Sequence, residues 1–311
     1  MSKLSRLLFV ALAAFPVLAQ AKSDEARALL LKALNSQRNY HGTLVQTRKT
    51  GRTEIRVKTQ VVPHVGVKTT LLAPVFFQGI WSFDDGRYFK TVNPDEREIR
   101  VELSPTHHQI DPINRARLVQ ANYDVSKQEG DKIAGRLVYV LLAEPKAEVL
   151  PARTIFVDQK HAAILRYQYH EDGDTNTVID TTYANFSVSN STKNMPPTFP
   201  REYREVVTTK PKTFGSLKQA GEAAGFRPHL PGRLPFGFEV QAIHLIGKGE
   251  SPMIAIRLID GLARLTVYQW KRDEDADLFV FKDKKNNEYD FSNGLSVRIT
   301  GDAGDEASRV I

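Results

Sequence analysis

The residues that could do chemistry in this sequence are histidines, carboxylates and a glycine-lysine loop. His107 and His108 are the only adjacent pair among the eight histidines. Adjacent side chains on an extended chain face opposite sides, so this pair is poorly placed to ligate one metal ion. The other histidines show neither HxxxH nor HExxH spacing. We therefore expect His107 and His108 to lie in a surface loop, and we expect no metal site.

The acidic residues cluster where the sequence predicts turns, and Asp is an ordinary turn residue. We interpret them as solvated turn acids rather than a calcium or glycosidase site; they are Asp84, Asp85, Asp172, Asp174, Asp273, Glu274, Asp275 and Asp277. Residues 247–251 lack the frame of a phosphate loop, and no Gly-x-Ser-x-Gly elbow occurs. The sequence has 0 Cys, which excludes thiolate catalysis and Cys-ligated clusters. These patterns predict a protein that is not an enzyme and has no cofactor.

The first 21 residues have the pattern of a secretion signal. Lys3 and Arg6 form a positive region, residues 7–18 an apolar region, and residues 19–21 a small-x-small cleavage site. A membrane anchor is the alternative, but the apolar run is short for a bilayer core that needs about 20 residues. We predict a signal peptide over 1–21, cleavage near Ala21 and a periplasmic protein.

Charge and composition narrow the class of partner. The amino-acid composition is that of a globular protein, with 41% hydrophobic and 25% charged residues. The formal net charge of +7 includes Lys3 and Arg6 of the predicted signal, so the mature chain would carry a mild +5. Nucleic acid is an unexpected partner for an exported chain. The anionic partners to expect are lipid head groups, envelope glycolipids or an acidic protein segment.

Residues 151–188 form the best strand pattern in the chain. Alternating runs over 154–157, 163–169 and 176–188 are separated by turn sequences at 158–161 and 171–174. β-Branched and aromatic residues dominate the runs, as is typical of strands. The pattern predicts a three-stranded meander, which needs a partner to cover its apolar face.

The chain before this meander is also rich in strands. A helix is predicted over about 24–37, followed by hairpins across 39–59 and 80–92 and a strand over 96–103. Residues 104–121 lose the two-residue period and could hold a short helix or a loop. A further hairpin is predicted with its turn at Gly130 and Asp131. Nine to eleven antiparallel strands are expected in all, enough for the sheet to curl into a barrel or half-barrel.

The proline-rich run at 194–200 divides the chain, because closely spaced prolines fit neither a helix nor a central strand. We predict one domain over 22–193, a linker over 194–213, a smaller domain over 214–300 and a frayed tail over 301–311. The smaller domain should contain a helix that is led by Ser216 or Thr213 and ends at Gly225. Strands are expected at 240–246, 253–258, 263–270 and 278–281, with one or two more over 289–300. The fold class predicted is α+β, mostly antiparallel β, with a curled sheet and covering helices.

A dense aromatic stretch at 76–83 supplies the candidate binding residues. These side chains could be ordinary core, or they could form one wall of a hydrophobic cavity inside the curled sheet, and the two interpretations are compatible. With the inward candidates of the meander, the predicted cavity residues are Phe76, Phe77, Ile80, Trp81, Phe83, Ile155, Val157, Ile164, Val178 and Tyr183.

Several short segments are similar to one family. The segments NYHGTLVQTR, GIWSFDDGRYF, the meander and PPTFP resemble the lipoprotein-carrier fold shared by LolA, LolB and the large domain of RseB/MucB. Leu234-Pro235-x-Gly237-Phe238, followed by Asp260-Gly261-Leu262, resembles the small C-terminal domain of RseB/MucB proteins. The resemblance covers nearly the whole chain after the signal sequence, although residues 61–83 and 107–117 depart from it.

The resemblance implies a regulatory function in the envelope stress response. Such a protein binds the periplasmic segment of a single-pass anti-sigma factor similar to RseA or MucA, shields it from proteolysis, and responds to lipid or lipopolysaccharide. An alternative is a periplasmic lipid or lipoprotein carrier of the LolA type with an accessory domain. A purely structural envelope module is a third hypothesis.

Overall fold

In the residues that it describes, the computed structural model contains two sheets with three α-helices around them. It describes residues 22–35, 40–48, 53–62, 65–104, 110–170, 178–188, 197–207, 212–246, 252–271, 287–290, 294–301 and 303. The predicted signal peptide, the turn at 171–174, the strand at 278–281 and nearly all of the tail lie outside these ranges. Within them, no helix has both the length and the apolar character needed to cross a membrane.

The N-terminal helix α1 covers residues 22–34, close to the predicted 24–37. Ala26, Leu30 and Ala33 are buried at helical spacing, so one face of α1 packs onto the first sheet. Glu25 of α1 forms an ion pair with Lys127 of the sheet beneath it.

The first sheet has 12 strands. In chain order they are β1 Tyr40–Arg48, β2 Thr53–Val62, β3 Gly66–Ala73, β4 Trp81–Asp84, β5 Tyr88–Asn93, β6 Glu98–Leu103, β7 Tyr123–Ile133, β8 Arg136–Pro145, β9 Arg153–Asp158, β10 Ile164–His170, β11 Val178–Val188 and β12 Arg204–Val207. Their order across the sheet is β12-β6-β5-β4-β3-β2-β1-β11-β10-β9-β8-β7. All neighbours are antiparallel except β12, which runs parallel to β6. The sheet is curled and unclosed, which confirms the predicted fold class.

The turn between β7 and β8 corrects one expectation. The sequence predicts it at Gly130 and Asp131, but the structure places it at Ala134 and Gly135, whose φ values are 49° and 77°. Two positive φ values suit a two-residue hairpin turn. Gly130 instead lies within β7, where an added Cβ would stand 2.6 Å from Cγ2 of Val140. Close packing, rather than chain reversal, explains this glycine.

Residues 104–121, for which the sequence allows a short helix or a loop, contain helix α2 at Pro112–Asn122. Asp111 caps it by accepting hydrogen bonds from the backbone N–H groups of Ile113 and Asn114 at 3.1 and 3.0 Å, and Pro112 occupies the first helical turn. The helix leads directly into β7, so its last residues are fixed against the first sheet.

The second sheet has six strands in the order β13-β14-β15-β16-β18-β17. They are β13 Lys212–Phe214, β14 Glu239–Ile246, β15 Met253–Ile259, β16 Arg264–Lys271, β17 Asn287–Asp290 and β18 Leu295–Gly301. Helix α3, Leu217–Ala224, is capped by Ser216, one of the two predicted caps, and ends at Gly225, which has φ 75°. It covers a core of strand residues that includes Ile254, Ile256 and Leu265.

The stretch predicted as a linker contributes to both sheets. β12 pairs with β6 of the first sheet, and β13 pairs with β14 of the second. Only residues 208–211 separate these two strands along the chain.

Candidate functional site

The structure distributes the predicted cavity residues among several places. Ile155 and Val157 are completely buried beneath α1, with Ile164 packed at the margin of the same core. Tyr183 belongs to a different core, where its ring contacts those of Tyr40 and Phe186. The side chain of Val178 lies outside the described part of the protein.

The aromatic stretch itself divides in two. Phe76 and Phe77 are 74% and 46% exposed, and Val75 beside them is 79% exposed. The structure places Phe76 and Phe77 on the surface rather than in a core or a cavity wall. The reason is a 3-10 turn between β3 and β4, closed by hydrogen bonds from Phe77 N–H to the Pro74 carbonyl at 3.0 Å and from Gln78 N–H to the Val75 carbonyl at 3.0 Å. We call Val75, Phe76 and Phe77 the apolar tip.

Trp81 and Phe83 form a second aromatic surface on β4. Trp81 stacks on Phe199 with a centroid distance of 5.3 Å and an interplanar angle of 25°, and Phe83 meets the same ring at 6.4 Å. Phe83 is 4% exposed, whereas Trp81 is half-buried. Ile80, also half-buried, precedes them at the end of the 3-10 turn. We call Trp81, Phe83 and Phe199 the aromatic face.

The two sheets meet at a polar junction centred on Asp260, in the turn between β15 and β16. One carboxylate oxygen of Asp260 accepts hydrogen bonds from the N–H groups of Leu262 and Ala263 at 2.9 and 2.7 Å. The other accepts from the hydroxyl of Tyr123, at the start of β7, at 2.6 Å. Asp260 and Tyr123 have no exposed surface. A buried acid of the second sheet is thus satisfied by a hydroxyl of the first.

A buried cation of the first sheet completes the junction. Arg153 of β9 is fully buried; its guanidinium lies 5.8 and 5.3 Å from the ring centres of Tyr167 and Tyr169 and donates to the Tyr167 hydroxyl. Burial raises the pKa of Asp260, while the Tyr123 hydrogen bond and the Arg153 charge oppose the shift. Burial and the adjacent Asp260 raise the pKa of Tyr123, which keeps its hydroxyl a donor. The Arg153 charge of the first sheet thus favours the ionised form of the Asp260 carboxyl group in the second.

Two glycines allow α2 to approach the second sheet closely. Asn122, the last residue of α2, donates to the carbonyls of Gly237 and Asp260 at 3.1 and 2.7 Å. A Cβ on Gly237 would collide with the Asn122 side chain, and a Cβ on Gly261 would stand 2.9 Å from the backbone nitrogen of Val119. Gly237 and Gly261 have φ values of 73° and 114°, which other residues rarely adopt. The two motifs that resemble the RseB/MucB small domain thus form the contact with α2.

Solved structures of MucB have the same architecture. A crystal structure of MucB matches with a TM-score of 0.61 at 15% identity, covering 93% of this chain and 95% of that one. The Pseudomonas aeruginosa MucA/MucB complex gives a TM-score of 0.61 at 15% identity over 92% and 96% of the two chains. MucB in complex with MucA(peri) gives 0.58 at 15% identity, with the same coverage. The chain has an RseB/MucB-type fold. The sequence matches no family model and no curated protein.

An open groove lies beside α3. The groove has a volume of about 780 Å³ and runs between α3 and the segment that follows it. Its lining mixes apolar and charged side chains: Leu217, Lys218, Gly221, Glu222, Gly225, Phe226, Arg227, Pro228, His229 and Leu230. In the described parts of the chain, no three or more His, Cys, Asp or Glu residues come together as a metal site.

Sequence reasoning missed Tyr123 and Arg153, although a signal existed for one of them. Arg153, Ile155 and Val157 alternate along β9, and all three are buried. A charged residue in register with inward apolar residues indicates a buried charge that needs a partner. Asp260, whose ionised form Arg153 favours, lies 107 positions away in the second sheet, so the sequence alone could not identify it.

Proposed function

We propose that this protein is a periplasmic regulator that binds the periplasmic segment of a single-pass anti-sigma factor. The observation that carries the proposal is the likeness to MucB structures solved with MucA, which extends over 92% of the chain and so includes both sheets. The expected secretion signal would place the protein in the same compartment as such a segment.

The junction supports this function by holding the two sheets in a fixed relation. Leu150, which follows β8, is buried in the core of the second sheet, and Arg257 of β15 donates to the Ser104 carbonyl of the first domain at 3.2 Å. Arg117 of α2 forms a surface ion pair with Glu239 of β14. A partner that spans both sheets would thus meet a preorganised surface, which lowers the entropic cost of binding.

The apolar tip is our candidate contact for the partner. The rings of Phe76 and Phe77 lie 4.4 Å apart, so they form one continuous apolar surface. Exposed aromatic side chains that become buried on association are typical binding hot spots. The hydrogen-bonded 3-10 turn beneath them presents the tip without further ordering.

We further propose that a bound partner segment is shielded from proteases and that a lipid or lipopolysaccharide-type ligand releases it. Release needs no contact between the two ligands. A lipid that binds better to the state unable to hold the segment shifts the population towards that state.

Capture with the full mature chain as bait tests the function. We expect it to retain the periplasmic segment of a single-pass anti-sigma factor and to slow its cleavage by an added protease. A segment with the same composition in scrambled order serves as the control. If the native and scrambled segments behave alike, the proposal is wrong. The lipid part is tested separately by native mass spectrometry after gentle purification, and consistent absence of acyl-bearing adducts would refute that part alone.

A further inference from the structure

The segment 197–207 lies across the aromatic end of the first sheet. Phe199 is its anchor: the ring stacks on Trp81, meets Phe83 at its edge, and has the Lys90 ammonium 4.8 Å from its centre. Tyr203 packs on the same apolar cluster as Phe199. The segment therefore binds the sheet mainly through two aromatic side chains.

The backbone of this segment contributes little to its attachment before residue 204. Pro197 and Pro200 have no N–H group, so this part cannot form a regular strand ladder. Regular pairing begins only at Arg204, in β12, whose partners on β6 start at Glu98. An ion pair between Arg204 and Glu98 at 2.7 Å fixes that end.

The surface under Phe199 has the composition of a peptide-recognition site. The Lys68 ammonium group lies 4.9 Å from the ring centre of Trp81, and the Lys90 ammonium group lies 4.8 Å from the ring centre of Phe199, which stacks on Trp81. Val92 and Val101, both buried, form the floor. A flat aromatic platform with nearby polar groups is how grooves bind extended proline-containing peptides, and the cations add attraction for a second ring.

We propose that this surface is a binding site for extended segments that carry an aromatic residue next to proline, and that residues 197–203 are its resident, exchangeable ligand. The attachment through aromatic contacts without a strand ladder makes exchange feasible. A partner segment of the same chemistry occupies the Phe199 position, and the resident segment leaves the sheet. The inference does not depend on the anti-sigma partner.

A synthetic peptide with the sequence of residues 197–205, PTFPREYRE, tests this site in the full mature chain. In the wild-type chain, the resident segment competes with the added peptide for the surface at an effective concentration on the order of millimolar. Phe199→Ala removes the anchor of the resident segment and so weakens this competition. We therefore expect the peptide to bind the Phe199→Ala chain about tenfold more tightly than the wild-type chain. Thr198→Ala, an exposed neighbour in the same segment, should behave like wild type.

Tryptophan fluorescence provides the readout and locates the peptide. The chain has 2 Trp, and Trp270 is 3% exposed, so peptide-dependent changes should come from Trp81. Adding Trp81→Phe to the Phe199→Ala chain should remove the signal change, and titration calorimetry should show weaker binding. The inference is overturned if the Phe199→Ala chain keeps its thermal transition but does not bind the peptide, or if the wild-type and Phe199→Ala chains bind the peptide equally. It is also overturned if adding Trp81→Phe to the Phe199→Ala chain leaves the affinity measured by calorimetry unchanged.

Discussion

Tyr123→Phe isolates the hydrogen bond that joins the two sheets. The change removes the hydroxyl that donates to Asp260 at 2.6 Å and keeps the ring that fills the core beneath α1. Leaving a buried hydrogen-bond acceptor without its donor typically destabilises a protein by about 1–3 kcal/mol. Because both residues are fully buried, water cannot readily replace the lost donor.

Urea denaturation of the two chains, with the free energy of unfolding extrapolated to water, measures this loss. Tyr139→Phe is the matched control, because it removes the same hydroxyl group at a position away from the junction. Tyr139 is half-buried in β8, and its partner in the strand register is Glu129, six residues along β7 from Tyr123. We expect the control to change stability by less than about 0.5 kcal/mol. Equal effects of the two variants, or no effect of Tyr123→Phe, would refute the assigned role of the hydroxyl.

The pH dependence of the same variant gives an independent check. Burial raises the pKa of Asp260, and the Tyr123 hydrogen bond opposes this, so Tyr123→Phe should raise that pKa further. When the pKa of a carboxyl group is raised in the folded protein, its charged form destabilises the fold at pH values above that pKa. This destabilisation disappears as the pH falls below that pKa and the group becomes neutral. The deficit of Tyr123→Phe should therefore shrink on acidification. A deficit that grows in acid would contradict the direction of the shift.

Three further changes test other parts of the structure. The double change Phe76→Ser and Phe77→Ser should alter the free energy of unfolding by less than about 0.5 kcal/mol and weaken binding of the anti-sigma segment at least about tenfold. Ile113→Ser, at a position 80% exposed on α2, is the control in calorimetry and should change neither stability nor binding. Asp158→Asn should lower the free energy of unfolding by about 1–3 kcal/mol at neutral pH. Burial raises the pKa of Asp158, but hydrogen bonds from the adjacent guanidinium and imidazole outweigh burial and lower this pKa. The ionised carboxylate therefore stabilises the fold above that pKa, and the deficit of the variant in urea melts should disappear as pH falls through it; a pH-independent deficit would contradict this role. Gly261→Ala should destabilise the chain by at least about 1–3 kcal/mol in urea melts, because position 261 has φ 114° and the Cβ of the alanine would meet α2. Wild-type stability of this variant would contradict the close packing of α2 on the second sheet.

Local features of the fold were predictable from the sequence. The β4–β5 hairpin follows from alternation around Asp84-Asp85-Gly86, whose carboxylates accept hydrogen bonds from backbone N–H groups in the turn. Helix α3 follows from Ser216 and Gly225 as its caps. The sequence misplaces the β7–β8 turn because Gly130 and Asp131 are typical turn residues, whereas Gly130 is required by close packing against Val140 of the neighbouring strand.

Long-range features were not predictable. The parallel pairing of β12 with β6 joins residues 106 positions apart, and the prolines before it indicated only a linker. The aromatic stretch at 76–83 looked uniform, yet a turn exposes Phe76 and Phe77 while Phe83 is buried. The second-domain motifs were recognised by resemblance, but their physical role depends on the contact with α2 on the other side of the junction.

The most direct test of the proposed function is titration calorimetry of the mature chain with the purified periplasmic segment of a single-pass anti-sigma factor. The proposal predicts saturable binding, a slower cleavage of the bound segment by protease, and weaker binding by the Phe76→Ser, Phe77→Ser chain than by Ile113→Ser. The absence of binding heat together with unchanged cleavage of the segment would contradict it.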